Sequence, residues 1–442
     1  MAERRGLPCG VRIVQFLKWM RRRDGGVVNT ISLLCPMHAR MGNRVVLISC
    51  EDDDLSTDQW IKIDGRVGGA GVPQNLWTDE SLWDRSVREG KPVSIRVDLD
   101  DPLARLRGRS PYAAERDMVT QVLTRHAKGV AQSVLRGAEV LHLHGPWATP
   151  NVQMATVARG VECPYVVSPH GMLDHWSMSQ GAAKKKLHLA LVGRRMLDGA
   201  RTVHFEGSVE MNQGRAYSSA PVTSGPPPPI DPRPFSPPEV TPDLARTAFP
   251  QIRTTNAVIV FLGRLNYKKG PDKLLHAAAK WKAMGVPVTV VIAGLAQPPE
   301  FGEYLPRLAR ELGVEDMCHL VGLVTGEAKW SLLSAADLVV LPTLQENFGI
   351  ALVEALAVGT PILTTKGVDI WPELRQSGGG IIIEGGEGMV EQLTMGVADA
   401  VRDREALRAM GARAKAWAHE TEEPEKLAEW YVRMLRGECN VK

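Results

Sequence analysis

The chain of 442 residues contains few cysteines and no long uninterrupted apolar stretch. Its six cysteines are scattered, with no C-x-x-C pair and no metal-ligand spacing. This argues against a disulfide framework or a zinc site and favours free thiols in a reducing compartment. No apolar run approaches the ~20 residues that a membrane-spanning helix needs. Arg12 and Lys18 interrupt the apolar stretch near the N-terminus, so it does not match a signal peptide. We therefore expect a cytoplasmic protein.

An excess of charge of one sign is also absent. The 53 basic and 50 acidic residues leave a net charge of +3, which gives no reason to expect a nucleic acid as a partner. The hydrophobic content of 44% and the charged content of 23% are ordinary for a globular protein. Because the length exceeds what one compact core usually holds, two domains are expected.

Short apolar runs alternate with helical patterns along most of the chain, which predicts the α/β class with parallel sheets. The proline-rich stretch "GPPPPIDPRPFSPP" (225–238) supports neither a central strand nor a helix interior and is typical of a linker. Residues 51–110 are polar and irregular, and their elements are not predicted. The predicted parts are a Rossmann-like domain at 1–222, a linker at 223–240, a second Rossmann-like domain at 241–418, and a helix at 419–442 that packs back on the first domain.

The stretch "PTLQENFGIALVEALAVGTPILTT" (342–365) places two acids, Glu346 and Glu354, around a turn that opens a helix. The amides of Phe348, Gly349 and Ile350 are expected at the positive end of the helix dipole, which suits an anion. Carboxylates accept hydrogen bonds from sugar hydroxyls. Two interpretations are open, a solvated loop acid with a surface acid or a ligand that carries both hydroxyls and phosphate.

A second loop, "GRLNYKKGPDK" (263–273), carries Arg264 and Lys269 between a predicted strand and a helix that begins at Pro271. The two cations could be solvated, or they could converge on one dianion, with Arg as a planar fork and Lys as a point charge. Together with the amides and acids of the other loop, they favour a nucleotide sugar as the ligand.

These motifs resemble the retaining glycosyltransferases of family four, which have the GT-B fold. The stretches "GRLNYKKG", "VIAG" and "GEAKWSLLSAADLVVLPTLQENFGIALVEALAVGTPILTT" match in order, and "VVSPHGMLDHW" (166–176) resembles a bacterial exopolysaccharide and lipopolysaccharide subgroup. The resemblance implies two doubly wound Rossmann-like domains that face a central cleft. It also implies a hexosyltransferase that needs neither a cofactor nor a metal.

The resemblance further implies roles for individual residues. His170 and Glu346 would be catalytic, with Glu346 on hydroxyls of the donor sugar, and Glu354 would bind the ribose. Arg264 and Lys269 would bind the diphosphate. The donor-binding set would be completed by Gly25, Gly26, Asn347, Phe348, Gly349 and Ile350. His144 is expected to be structural, and the Asp-x-Asp pattern of Asp52 and Asp54 is interpreted as a turn rather than a metal site.

The predicted function is transfer of a sugar from a nucleoside-diphosphate sugar to an acceptor hydroxyl with retention, on a glycan or lipid-linked acceptor in cell-surface polysaccharide synthesis. The alternatives are a non-catalytic nucleotide-sugar sensor and a transferase with a small soluble acceptor. The stretch at 181–201 pairs Lys184, Lys185 and Lys186 with Leu187, Leu191 and Met196. It is either a half-buried helix with a solvated face or a peripheral contact with an anionic membrane at the inner face of the cell membrane.

Overall fold

The computed structural model describes residues 10–21, 26–69, 71–101, 121–236, 238–253 and 255–439. The chain divides into two compact units. Residues up to Pro229, together with those from Pro424 onward, form the first unit, and Ile230–Glu423 forms the second. Gly25, one of the predicted donor-binding residues, lies outside the described residues.

The first unit is built on an eight-stranded sheet in which all pairs of neighbours are parallel. Its strands are Arg12–Phe16 (β1), Arg44–Ser49 (β2), Ile61–Asp64 (β3), Val93–Arg96 (β4), Val140–His144 (β7), Tyr165–Ser168 (β8), Thr202–Phe205 (β9) and Val222–Ser224 (β10). The order across the sheet is β10-β9-β8-β7-β1-β2-β4-β3. A short antiparallel pair, Leu99–Asp100 (β5) and Val122–Leu123 (β6), lies apart from this sheet.

Helices of the first unit follow the strands, as a parallel sheet requires. They are Gly26–Arg40 (α1), Glu80–Glu89 (α2), Arg125–Arg136 (α3), Thr149–Gly160 (α4), His175–Ser179 (α5), Ala182–His188 (α6), Arg194–Asp198 (α7) and Ser208–Gly214 (α8). A π-helical turn, Leu189–Gly193, joins α6 to α7, and short 3-10 turns occur at Leu76–Thr78 and Arg215–Tyr217. The residues of the central strand β7 are buried throughout, which is typical of a sheet covered on both faces.

The second unit is built on a six-stranded parallel sheet. Its strands are Ala257–Leu262 (β11), Val288–Ala293 (β12), Cys318–Gly322 (β13), Leu338–Leu341 (β14), Ile362–Thr365 (β15) and Gly380–Ile383 (β16). The order is β13-β12-β11-β14-β15-β16, so the strand order reverses beside β11 and β14. In open α/β sheets a ligand site forms beyond the carboxyl ends of strands at such a reversal.

The helices of the second unit are Asp243–Ala248 (α9), Pro271–Met284 (α10), Phe301–Glu311 (α11), Gly326–Ala335 (α12), Ile350–Ala357 (α13), Trp371–Gln376 (α14), Met389–Arg402 (α15) and Arg404–Thr421 (α16). Two 3-10 turns occupy Arg233–Phe235 and Pro250–Ile252. One contiguous core, with Trp281 and Trp330 among its largest fully buried side chains, fills this unit.

The last described helix, Pro424–Leu435 (α17), belongs to the first unit. Its apolar side packs in one cluster with α1 and the strands β1, β7 and β8. The residues of α17 that enter this cluster are Leu427, Ala428, Tyr431, Met434 and Leu435.

The observed bounds differ from the predicted ones at the linker. Strand β10 includes residues 223 and 224, which the sequence-based prediction assigns to the linker. Val222, Thr223 and Ser224 pair with β9, and the run of prolines begins after them, at Pro226. Along the chain, the first unit ends at Pro229 and the second begins at Ile230, inside the predicted 223–240 segment. The chain returns to the first unit at Pro424 rather than at 419.

Candidate functional site

Two loops at the carboxyl ends of β11 and β14 are joined to each other in the second unit. The carbonyl of Lys268 accepts hydrogen bonds from the Leu344 amide at 2.8 Å and from Thr343 Oγ1 at 2.9 Å. Gly270 has φ +71°, and a Cβ at this position would lie 2.3 Å from the carbonyl oxygen of Pro342. Only glycine fits so close an approach. The loop with Arg264 and Lys269 is thereby fixed against the loop with Glu346.

The ammonium of Lys269 and the carboxylate of Glu346 form an ion pair at this junction. Burial, together with the neighbouring cations Arg264 and Lys268, lowers the pKa of Lys269 to about 7. Glu346 is fixed through its backbone, because its amide donates to the carbonyl of Gly367 at 2.8 Å and its carbonyl accepts from the Asp369 amide at 2.9 Å. Glu346 therefore has a fixed backbone and a cationic neighbour, and it is not a freely solvated loop residue.

Helix α13 begins directly after this acid. Gly349, its N-cap, has φ +73°, and a Cβ there would lie 3.1 Å from Leu352 Cδ1. Phe348 is buried and anchors the turn in the core. The amides of Phe348, Gly349 and Ile350 lie at the start of the helix. The first N–H groups of a helix have no acceptor within it, because the helix has no carbonyl four residues before them. Asn347 lies between Glu346 and Phe348 in the same turn.

Arg264 is exposed at the carboxyl end of β11. Its guanidinium donates to Gln297 Oε1 at 3.1 Å, and Gln297 follows β12. The structure therefore brings Arg264 close enough to Lys269 to lower the pKa of that lysine, but directs its hydrogen bond to Gln297.

Glu354 faces the interior of the second unit rather than solvent. Only 4% of the residue is exposed, and its Oε1 accepts a hydrogen bond from Lys329 Nζ on α12 at 2.6 Å. Burial raises the pKa of Glu354, and the ammonium of Lys329 opposes this effect. The interpretation of Glu354 as a surface acid is wrong, because its helix turns this position inward.

A second ion pair lies close to Glu354. Arg233 donates two hydrogen bonds to Asp231, at 2.9 Å and 2.5 Å, and both residues influence the pKa of Glu354. The ammonium of Lys329 also lies 4.4 Å from the centroid of the Trp330 ring. Sequence reasoning missed Lys329, because a lysine on a helix is ordinarily a solvated residue.

In the first unit, His170 follows β8 in a strained backbone conformation with φ +54°, which is uncommon for a residue other than glycine. Its Nδ1 lies 2.6 Å from Glu206 Oε1, and its Nε2 lies 2.8 Å from His144 Nδ1. Glu210 accepts from the amides of Gly171 and Glu206 at 2.6 Å and 2.8 Å, which fixes both loops.

The hydrogen bonds continue from His144 into the sheet. His144 Nε2 lies 2.7 Å from Gln15 Oε1 on the neighbouring strand β1. The series Gln15, His144, His170 and Glu206 thus crosses the carboxyl edge of the first sheet. Sequence reasoning missed Glu206, although a polar residue directly after the buried strand β9 was the available signal. Gly26 begins α1, which follows β1.

Within the described residues, no group of three or more His, Cys, Asp or Glu side chains could hold a metal ion. Asp52 accepts from Ser94 Oγ at 2.9 Å and Asp53 from Arg96 at 2.5 Å. Cys35, Cys50, Cys163 and Cys318 are buried free thiols. None of the described helices combines the length and the apolar character needed to cross a membrane.

Residues 246–417 match the family model described as Glycosyl transferases group 1. The D-inositol 3-phosphate glycosyltransferase of Mycolicibacterium smegmatis is 40% identical over 127 residues, which cover 27% of this chain and 27% of that protein. The D-inositol 3-phosphate glycosyltransferase of Nocardia farcinica is 33% identical over 183 residues, 37% of this chain and 38% of that protein. The chain therefore spans less than two fifths of the length of these curated relatives.

Solved structures are similar over almost the whole chain. HepE of Anabaena in complex with UDP has a TM-score of 0.66 at 16% identity and covers 96% of this chain and 100% of its own. WaaG, a glycosyltransferase involved in lipopolysaccharide biosynthesis, has a TM-score of 0.64 at 16% identity, with the same coverage. At such identities the likeness shows the fold, which is GT-B, as the sequence predicted. The segment that matches the glycosyl transferases group 1 model includes Arg264, Lys269, Glu346 and Glu354.

Proposed function

We propose that the protein is a retaining glycosyltransferase that moves a sugar from a nucleoside-diphosphate sugar to an acceptor hydroxyl. The observation that carries this proposal is the junction of Lys269 and Glu346 beside the start of α13. It combines a partly buried cation, a helix N-terminus and a fixed carboxylate within the segment that matches the glycosyl transferases group 1 model. Phosphate suits the first two groups, and sugar hydroxyls suit the third.

The donor diphosphate would lie against Lys269, Arg264 and the amides at 348–350. These groups would stabilise the charge that develops as the diphosphate leaves, and they are already oriented before the reaction. Glu346 would accept hydrogen bonds from the donor sugar. Glu354 would accept from the ribose through its second carboxylate oxygen, because Oε1 already accepts from Lys329. His170, held by Glu206 and His144, would lie beside the reacting sugar. The leaving phosphate takes the acceptor proton in this scheme, so the protein mainly positions the reactants.

A metal ion is not required in this proposal. Two cations and a helix N-terminus at the junction supply the positive field that a divalent ion supplies in other transferases. Sugar transfer is therefore expected to continue in excess EDTA. A complete loss of transfer in EDTA that magnesium or manganese restores would contradict this part of the proposal.

The preferred acceptor is a lipid-linked glycan intermediate, reached at the inner face of the cell membrane. The support is a surface on α6, the π-helical turn and α7, where Leu187, Leu191 and Val192 are exposed, Leu191 by 71%. The exposed cations around them are Lys184, Lys186, Arg194 and Arg195. Apolar side chains flanked by cations fit an interface with anionic lipid.

The structure corrects the predicted membrane face in two places. Met196, assigned to the apolar stripe, is fully buried in the core. Lys185 is half-buried, because its ammonium donates to the carbonyl of Ser177 and lies 5.4 Å from the ring of Trp147.

A second candidate is transfer to a small soluble acceptor, since the curated relatives described above are named D-inositol 3-phosphate glycosyltransferases. A third, a nucleotide-sugar sensor without turnover, would keep every donor contact. Offering inositol 3-phosphate and a lipid-linked acceptor separately would distinguish the two acceptors.

The test of the proposal is a thermal-shift screen of nucleoside diphosphates and their sugars, followed by turnover of the donor that raises the melting temperature. A donor at 100 times its dissociation constant stabilises the protein by about 2.7 kcal/mol. Release of nucleoside diphosphate with a glycosylated product supports a transferase. Binding of a donor without release of nucleoside diphosphate, whichever acceptor is offered, would favour the nucleotide-sugar sensor. No change of the melting temperature with any donor would overturn the proposal.

A further inference from the structure

A cavity of about 240 Å³ lies wholly within the first unit, between the end of β1, the start of α1 and the loop after β7. Most of its walls are apolar. They are formed by Leu17, Trp19, Val27, Val28, Trp147, Ala148 and Met172. Gly145 and the polar residues Lys18, His144 and Asn151 complete the lining.

The cavity adjoins the candidate catalytic histidine. His144 lines it and also makes the 2.8 Å hydrogen bond to Nε2 of His170. Both ring nitrogens of His144 are hydrogen-bonded, one to His170 and one to Gln15. His144 therefore lines the cavity without offering a ring nitrogen to a ligand. A ligand in the cavity would therefore lie one side chain away from His170.

The ammonium of Lys18 in this lining lies 4.0 Å from the centroid of the Trp19 ring. Apart from Lys18, three polar side-chain atoms of the lining have no hydrogen-bond partner among the described residues. They are the indole nitrogens of Trp19 and Trp147 and Oδ1 of Asn151, and all three atoms are buried. Asn151 is only 1% exposed, and its amide nitrogen is already used by the carbonyls of His144 and Gly145 at 2.7 Å and 2.5 Å. A buried polar group without a partner costs about 1–3 kcal/mol, so a ligand with one or two hydrogen-bonding groups would be favoured here.

The number of these atoms limits the kind of ligand. Each hydroxyl of a fully hydroxylated ring would also cost about 1–3 kcal/mol if left unpaired, and the apolar walls cannot pair several of them. An apolar cavity of about 150 Å³ can hold benzene, so the volume here suits one six-membered ring with a few further atoms.

We propose that this cavity binds an apolar group of the acceptor, an aromatic or alicyclic ring, next to the hydroxyl that receives the sugar. The inference rests on the proposed glycosyl transfer. It differs from the preferred glycan acceptor, because it places the receiving hydroxyl on an alcohol with an apolar body rather than on a sugar ring. Trp19 and Trp147 would contact the faces or edges of the ring. The Asn151 carbonyl oxygen would accept a hydrogen bond from a hydroxyl of the acceptor.

One wall of the cavity is continuous with the surface on α6. Trp147 lies between the cavity and this helix, with Lys185 Nζ 5.4 Å and the ring of His188 5.6 Å from its own ring. An acceptor held in the cavity could extend along α6, which carries the exposed Leu187. This continuity supports an acceptor whose apolar part is longer than the ring in the cavity.

The test is ligand-observed saturation-transfer NMR with cyclohexanol and myo-inositol, which share a six-membered carbon ring but carry one and six hydroxyls. We expect saturation of cyclohexanol and little of myo-inositol. Trp19→Ala and Val27→Glu should each weaken cyclohexanol binding at least about tenfold. Val27 is partly exposed in the first turn of α1, where a glutamate is tolerated by the helix dipole, so this variant should fold.

Trp176→Ala is the control, because Trp176 is 43% exposed in the same unit and does not line the cavity. Binding of cyclohexanol that survives both cavity variants, or that is weaker than binding of myo-inositol, would overturn the proposal. Absence of binding by cyclohexanol would do the same. No donor is needed, so failure here is distinct from failure of donor turnover, which would remove the proposed function instead.

Discussion

Glu354 Oε1 lies 2.6 Å from Lys329 Nζ, and this ion pair joins helices α13 and α12 inside the second unit. The side chain of Glu354 is almost fully buried, whereas 21% of the lysine side chain is exposed. The two partners therefore do not depend on each other equally. Glu354 would be left as a buried charge without Lys329, while Lys329 could still reach water.

The first prediction follows from this asymmetry. Lys329→Met should destabilise the protein by about 3 kcal/mol, because removing one partner of a buried pair leaves an uncompensated charge. Glu354→Gln should cost less than about 1 kcal/mol, because the partly exposed lysine is solvated. Chemical denaturation monitored by circular dichroism measures both values.

The double variant Lys329→Met, Glu354→Leu distinguishes this account from a simple loss of packing. Replacing both partners of a buried pair by apolar groups is often neutral, so the double variant should be more stable than Lys329→Met. Lys282→Met is the control, since its partner Asp316 is largely exposed. If Lys282→Met and Lys329→Met cost the same, the buried pair has no special role.

The second prediction concerns the diphosphate. Charge-assisted hydrogen bonds contribute about 1.5–3 kcal/mol each, so Arg264→Ala and Lys269→Ala should each weaken donor use at least about tenfold. Lys273→Ala on the neighbouring helix α10 is the control, because Lys273 pairs with Asp272 and is partly exposed. Donor kinetics like those of the unmodified protein in both test variants would remove these cations from the proposed site.

The third prediction is a dependence of donor affinity on pH. The lowered pKa of Lys269, about 7, means that its ammonium is present below pH 7 and is lost as the pH rises above 7. A diphosphate requires the charged form, so affinity should fall from pH 7 to pH 9 by up to about tenfold per pH unit. Calorimetric titration with a nucleoside diphosphate at each pH measures this slope.

Lys269→Arg provides the comparison, because a guanidinium stays charged over this range. The variant should show a flatter profile between pH 7 and pH 9, even if its affinity at pH 6 is lower. An unchanged slope would assign the pH dependence to another group.

The fourth prediction tests the support of His170. Glu206→Gln should lower turnover at least about tenfold while the apparent donor constant stays nearly the same, because a small displacement of a reacting group affects the rate more than binding. Glu206 lies 2.6 Å from His170 Nδ1 and is 8% exposed. A rise in the donor constant without a loss of turnover would mean that Glu206 acts in binding.

Much of the fold could be predicted from the sequence because its strands are short, apolar and separated by helical patterns. The apolar runs "RVVLIS" (44–49) and "CHLVG" (318–322) predict two of these strands, and the structure has strands with the same bounds. Residues 51–110 were not placed, because β3 and β4 have only four residues each and β3 is partly exposed at the edge of the sheet. So short a strand gives too few alternations to distinguish it from a loop.

The partners of the site residues could not be predicted. A spacing along the chain indicates that Glu346 and Glu354 flank a helix start, but Lys329 and Glu206 reach their partners from elements 25 and 36 residues away. Such contacts depend on the order of strands in the sheet, which the sequence pattern leaves open. The predicted pairing of Arg264 with Lys269 omitted Gln297 for the same reason.

The last prediction is that the protein binds anionic membranes reversibly through the surface on α6 and α7. Each basic side chain near such a surface contributes about 1 kcal/mol, so the pair Lys184→Gln, Lys186→Gln should weaken binding to phosphatidylglycerol vesicles by about thirtyfold. Lys185 is left intact, because it contacts Trp147. Vesicle sedimentation at low salt measures the effect, and added salt should weaken binding of the unmodified protein by screening.

The apolar part of the same surface gives an independent variant. Leu187→Gln with Leu191→Gln should also weaken vesicle binding, but salt should affect the remaining binding as before. The control pair Lys280→Gln, Lys282→Gln removes the same charge from exposed lysines of α10. If the control pair weakens binding as much as the α6 pair, the attraction follows net charge alone. If the leucine variant also leaves vesicle binding unchanged, the exposed leucines have no role at a membrane, and the small soluble acceptor becomes the better candidate.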